Sequence, residues 1–138
     1  MNTEILSPVW VEIDLSNLDH NIKEIQKKAS PASLVGIVKA DAYGHGMIEV
    51  TRVMKKNGIH TFAVAKLTEA IAFRRIYRKD ELIILTLTAD HYADILAEYD
   101  ITPVVCSYDN AKVISDAAAK HGKVMNCYIA VDTGMGRI

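Results

Sequence analysis

Cysteine is scarce in this chain: Cys106 and Cys127 are the only two in 138 residues. A disulfide-stapled scaffold is thereby excluded, and their separation matches no metal-binding spacing. Neither sign of charge dominates, since 16 Lys and Arg stand against 17 Asp and Glu for a net charge of -1. Without a basic stripe there is no footprint for nucleic acid, and none is expected as a partner. Long apolar runs are also missing. The longest, such as LIILTL at 82–87, fall far short of a membrane span. The opening MNTEILSPVW has neither a basic start nor an apolar core, so no secretory signal is expected. The two thiols fit a reducing, cytoplasmic compartment.

What the chain does have is apolar residues, which make up 50% of it, enough to build a core. They fall in short runs alternating with helical patterns. VWVEID (9–14) alternates like a half-buried strand. In SNLDHNIKEIQKKA, Ser16 and Asp19 have capping-box spacing, and Leu18, Ile22, Ile25 and Ala29 share one helical face. LVGIVKA (34–40) reads as a strand, followed by a helix with Met47, Val50 and Met54 on one side that stops near Gly58. TFAVA (61–65) precedes a helix around LTEAIAFRRI. ELIILTL (81–87) precedes ADHYADILAEY, with Tyr92, Ile95, Leu96 and Tyr99 on one face. ITPVVC (101–106) leads into DNAKVISDAAAKHG, and KVMNCYIAV (123–131) is the last strand. After the initial strand and helix, five strands are joined by four helical connections.

Apolar strands separated by helices predict an α/β fold with a parallel sheet. Both an open doubly wound sheet and a (β/α) barrel satisfy this pattern. A nucleotide-binding doubly wound sheet wants GxGxxG after its first strand, and this chain has KADAYGHG there. An eight-stranded barrel typically needs about 250 residues. As a barrel, the chain would therefore supply about five of eight strands, and its end at DTGMGRI is expected to be that of a fragment.

Chemistry in such folds collects at the C-terminal ends of the strands. Lys39 is placed at one such end and DTGMGR (132–137) at another, so two unusual loops open on the same face. A lysine at the mouth of an apolar strand is suited to Schiff-base chemistry, and it is equally the ordinary charged end of a strand. Tyr43 and His45 can orient a ligand or serve in packing and helix initiation. Gly44 and Gly46 suit close backbone approach. Arg137 offers a planar fork for an anionic group, or a surface charge. Asp132 orients neighbouring donors or caps a turn. His20, His60, His91 and His121 have no ligand spacing, and no metal is expected.

These motifs resemble those of the bacterial alanine racemase family. VKADAYGHG is similar to that family's cofactor-lysine motif, VDTGMGRI to its later active-site arginine motif, and PVWVEIDLSNLDHNI to its opening. They occur in family order, and the likeness covers essentially all 138 residues.

The resemblance implies a pyridoxal 5'-phosphate (PLP) enzyme in which Lys39 carries the cofactor as an internal aldimine. Tyr43 would stand beside the cofactor phosphate, and Arg137 near the ring oxygen and substrate carboxylate. Residues 1–138 would be the N-terminal portion of a PLP-binding barrel domain of TIM type. A C-terminal β domain is absent from this chain, and the full-length protein is expected to be a head-to-tail homodimer. The implied activity interconverts L-alanine and D-alanine and supplies D-alanine for peptidoglycan. The second base would be a tyrosine of the partner subunit's C-terminal domain, so this segment alone is expected to be inactive. One position departs from the family pattern: Ala130 stands where members commonly carry a lysine, often carbamylated. That opens the alternative of a serine or broad-specificity racemase. A related PLP-barrel decarboxylase and a non-catalytic PLP-carrying protein are the other readings.

Overall fold

A computed structural model of the chain describes residues 8–136. Its first helix, α1 (Leu15–Ala29), starts two positions earlier than the Ser16 capping box predicts. Asp14 is the cap: one carboxylate oxygen accepts the Ser16 N–H at 2.8 Å and the Asn17 N–H at 3.1 Å. A carboxylate at this position also meets the positive end of the helix dipole. Ile22 is buried, but Ile25 is 54% exposed, so the expected four-residue face is narrower than its periodicity suggests. The segment 9–14 is not a strand, and Val9, Trp10 and Val11 are all at least 70% exposed. Alternation makes a strand only where another strand accepts its hydrogen bonds, and none among the described residues does.

From β1 onward the strand–helix rhythm holds. The order is β1 (Gly36–Ile37), α2 (Lys39–Gly44), α3 (Met47–Lys56), β2 (Thr61–Val64), α4 (Leu67–Ile76), β3 (Glu81–Leu87), α5 (Ala93–Glu98), β4 (Thr102–Val105), α6 (Tyr108–Lys120) and β5 (Tyr128–Ile129). A 3-10 turn over Asp90–Tyr92 leads into α5. The runs at 34–40 and 123–131 are longer than the strands they contain. Both lie at the sheet's edges, where only one neighbour holds the backbone.

All pairings are parallel, and the sheet order is β1-β2-β3-β4-β5. This order decides between the two architectures. A doubly wound sheet reverses direction at a switch point; this one never does. Right-handed crossovers in unbroken succession put every connecting helix on the same face, as in a (β/α) barrel. Register separates the two faces. Gly36, Phe62 and Leu82 form one row, with Phe62 and Leu82 fully buried beneath the helices. Ile37, Ala63, Ile83 and Thr102 form the row of the opposite, concave face. Beyond Ile83 a register shift places Leu87 opposite Val104.

Gly36 is required by packing. A Cβ there would meet Met54 Sδ at 2.7 Å and Phe62 Cδ1 at 2.8 Å, so β1 sits against α3 as closely as a bare backbone allows. The Phe62, Phe73 and Tyr77 rings continue this core, with successive centroids 5.2 and 5.1 Å apart in tilted geometry.

Candidate active site at the strand ends

Lys39 is two residues beyond the last residue of β1, because the backbone there changes hand. Val38 is fully buried and still donates its N–H to the Ala63 carbonyl at 2.9 Å. Lys39 then opens α2, in which Ala40, Asp41, Ala42 and Tyr43 have φ between 50 and 57° and ψ between 37 and 46°. This is a turn of left-handed helix made from four residues with side chains. Each such residue costs roughly 1–2 kcal/mol, so the turn carries a strain on the order of 4–8 kcal/mol. Strain of this size persists only where the surroundings impose it, and such places concentrate at functional sites.

Several contacts impose it. The Ala42 N–H donates to the Val38 carbonyl at 3.0 Å, and the Gly46 N–H to the Asp41 carbonyl at 3.0 Å. The Asp41 carboxylate accepts the Met47 N–H at 2.7 Å, capping α3 from within the turn. The Ala42 methyl is buried in the main core. Glu69, from α4, accepts the Ala40 N–H at 2.9 Å with one oxygen. Its other oxygen accepts the N–H groups of Ala65 and Lys66, each at 3.0 Å. Burial pushes the Glu69 carboxyl up, but the three amide donors outweigh it and hold it below its ordinary range.

The reversed turn stacks Lys39 and Tyr43. Lys39 is half-buried, and its Nζ stands 5.8 Å from the centroid of the Tyr43 ring, whose residue is 62% exposed. That ring is the amine's neighbour; no carboxylate among the described residues pairs with it. His45 turns back so that its Nδ1 lies 3.3 Å from the Tyr43 carbonyl. Gly44 and Gly46 have φ of 84 and 88° with open space around each Cβ position. Their role is therefore conformational: they let the chain leave the reversed turn and enter α3.

The second loop follows β5. One oxygen of Asp132 accepts the N–H groups of Gly134 at 2.8 Å and Gly136 at 3.1 Å. Those donors, Gly134 first, hold its carboxyl below the ordinary range. Of the two roles open to Asp132, it takes that of organising the turn. Arg137 lies outside the described residues. Ala130 donates its N–H to the Val105 carbonyl at 2.8 Å, so its backbone extends the β4–β5 pairing.

Parallel strands put both loops at the C-terminal end of the strands, on the two edge strands four places apart. At about 4.8 Å per strand this is roughly 19 Å measured around the sheet. A cavity of about 380 Å³ lined by Gln26, Ser30, Leu34, His60 and Thr61 sits at the other end, where the strands begin. It shares no residue with the lysine turn, so reactive chemistry locates this site better than volume does.

Glu69 and Asp41 are the residues whose roles the sequence reading missed. Glu69 has a local signal, because a glutamate three residues into a helix normally reaches back to the cap. Nothing local signals that its second oxygen serves a turn 29 residues away.

Comparison with known proteins agrees with this geometry. Residues 13–138 match the family model described as alanine racemase, N-terminal domain. The alanine racemase of Clostridium kluyveri is 44% identical over 131 residues, covering 95% of this chain and 34% of that protein. The alanine racemase structure of Clostridium difficile 630 superposes with a TM-score of 0.90 at 32% identity, over 97% of this chain and 35% of that one. A histidine racemase from Leuconostoc mesenteroides superposes with a TM-score of 0.81 at 29% identity, over 90% of this chain and 33% of that one. The chain spans about a third of the length of these relatives. Matched along nearly all its length and built around the lysine turn, the chain belongs to the alanine racemase family, within its N-terminal domain.

Proposed function

We propose that the full-length protein is a PLP-dependent amino-acid racemase acting on alanine, with Lys39 as the residue that holds the cofactor. The observation that carries this is the strained turn presenting an amine without a carboxylate partner at the strand-end face. The donor set fits the group: a primary amine matches an aldehyde, and the Tyr43 phenol beside it can donate to a phosphate oxygen. Bound PLP supplies an electron sink that acidifies the substrate Cα–H.

The chain's own residues do the rest. The left-handed turn fixes Lys39 relative to Tyr43 and removes the freedom that a flexible loop would leave. With its amine free, Lys39 Nζ would accept or return the substrate Cα proton on its own face. Arg137 is assigned to the substrate carboxylate. The opposite face needs a second base, which we assign to the partner subunit of a cytoplasmic homodimer. Ala130 and the likeness to a histidine racemase support a second reading, in which the pocket admits side chains larger than a methyl.

The test is borohydride reduction of the full-length protein with its cofactor, followed by peptide mapping. The label is expected on Lys39, and Lys39→Ala should lose both visible cofactor absorbance and alanine racemisation. Label on another lysine, or racemisation retained by Lys39→Ala, overturns the assignment. Competition between alanine, serine and histidine separates the two substrate readings.

A further inference from the structure

We propose that Glu69 is the positioning residue for Lys39: its carboxylate ties the first step of the left-handed turn to the β2–α4 junction and so fixes the lysine amine. The proposal deepens the reading of Lys39 as the cofactor lysine and rests on it.

A glutamate at this position in a helix ordinarily spends itself on its own N-terminus. Glu69 does so with Oε2, which takes the Ala65 and Lys66 N–H groups. Oε1 is left over, and it reaches out of α4 to the N–H of Ala40, the residue covalently after Lys39. Ala40 is where φ first turns positive, at 50°. Its N–H belongs to the first turn of α2, where no preceding turn of the helix can accept it. One side chain thus holds two backbone segments, each at the C-terminal end of a different strand. The anchor side is firm, since Ala70 and Phe73 on the same helix are fully buried. The tie needs two acceptor oxygens, and only a carboxylate of this length has them. A glutamine keeps one acceptor and turns an NH₂ group toward whichever N–H it abandons.

The contact is polar and its partner residue Ala40 is exposed, so Glu69 adds little to the core. Its loss should therefore free the lysine turn more than it unfolds the protein. That separates it from Asp80, a 5% exposed carboxylate at the other end of the strands, which accepts from Lys55 and His60 and has no part in the lysine turn.

The experiment compares Glu69→Gln and Asp80→Asn in the full-length protein, two changes of the same charge. Three quantities are read: hydrogen exchange at the Ala40 amide, PLP retention followed by its visible absorbance during dilution, and thermal midpoint. Glu69→Gln should speed Ala40 exchange and PLP loss by about tenfold or more, the scale of one charge-assisted hydrogen bond. Asp80→Asn should lower the midpoint while leaving both of the others at parent values. Parent-like Ala40 exchange and PLP retention in Glu69→Gln overturn the proposal, and so does an equal effect of Asp80→Asn. The exchange arm reads the tie whether or not Lys39 carries PLP. Failure of the functional reading shows separately, as PLP retention that Lys39→Ala leaves unchanged.

Discussion

Arg74 reaches past the carboxylate of Asp80 and donates to its backbone carbonyl at 2.6 Å. The same guanidinium donates to the carbonyls of Tyr77, Tyr99 and Asp100, so one buried cation closes the chain ends of two helices. Burial lowers the Arg74 pKa, opposed by the Asp100 and Asp80 carboxylates, and the group remains a cation at any working pH. Asp80 meanwhile receives Lys55 at 2.6 Å and His60 at 3.1 Å. This knot lies where the strands begin, away from Lys39. It serves the fold.

Arg74→Ala should therefore destabilise the protein strongly while sparing the chemistry at the other end of the strands. Each carbonyl left buried without a donor costs about 1–3 kcal/mol. A fall of more than about 3 kcal/mol in the urea unfolding free energy is expected on that basis. A loss below about 1 kcal/mol would show that water takes over the guanidinium's bonds.

Hand reverses the sign of an ordinary substitution. Ala72→Gly, at an exposed position within right-handed α4, should lower stability by roughly 0.8–1.0 kcal/mol. Ala40→Gly removes a Cβ penalty of about 1–2 kcal/mol, less the entropy a glycine adds to the unfolded chain, and should raise stability by up to about 1 kcal/mol. Paired denaturation curves check this, and equal signs for the two changes would contradict a left-handed turn.

Acid should loosen the lysine turn. The Glu69 carboxyl is held below its ordinary range, so its contribution is present at neutral pH and disappears as pH falls through the folded value. Between about pH 6 and pH 3 the parent should lose more unfolding free energy than Glu69→Gln, which has no proton to take up at that position. Asp80 titrates in both proteins and cancels from the difference. Parallel pH profiles would count against the tie.

Gly36→Ala should cost about 1–3 kcal/mol, the range for overpacking a filled core. Its new methyl meets the movable Met54 thioether but also the Phe62 ring, which has fewer ways to yield. Because Gly36 lies three residues before Lys39, PLP retention should fall along with the unfolding midpoint. An unchanged midpoint would mean that β1 shifts without cost.

The α/β alternation was legible because five apolar runs and their turn signals recur at regular spacing, and the motif around Lys39 stands out against that rhythm. Strand order was not legible, since the same alternation serves both open sheets and barrels. The segment 9–14 misled for a related reason: alternation records only a one-sided pattern of polarity, and chain outside a sheet can carry it too. The hand of Ala40–Tyr43 was hidden more deeply. Alanine is the best former of right-handed helix, and the hand is reversed here by the Asp41 side chain's bond to Met47 together with the distant carboxylate of Glu69. Composition does not single out Asp41 and Glu69, because their carboxylates accept from backbone amides, which leave no trace in it.

The tie between Glu69 and Ala40 also sets a timetable. Synthesis runs from the N-terminus, so the lysine leaves the ribosome 30 residues ahead of the carboxylate that fixes its turn. Until α4 has been made and packed, residues 40–43 have only their local bonds to Val38, Gly46 and Met47 to hold the disfavoured hand, and the Ala40 N–H lacks its Glu69 acceptor. A nascent chain thus exposes Lys39 early but completes the turn that follows it only after its second strand–helix unit has docked. Maturation of the lysine turn is in this sense a readout of tertiary assembly, placed in the chain before the part it reports on.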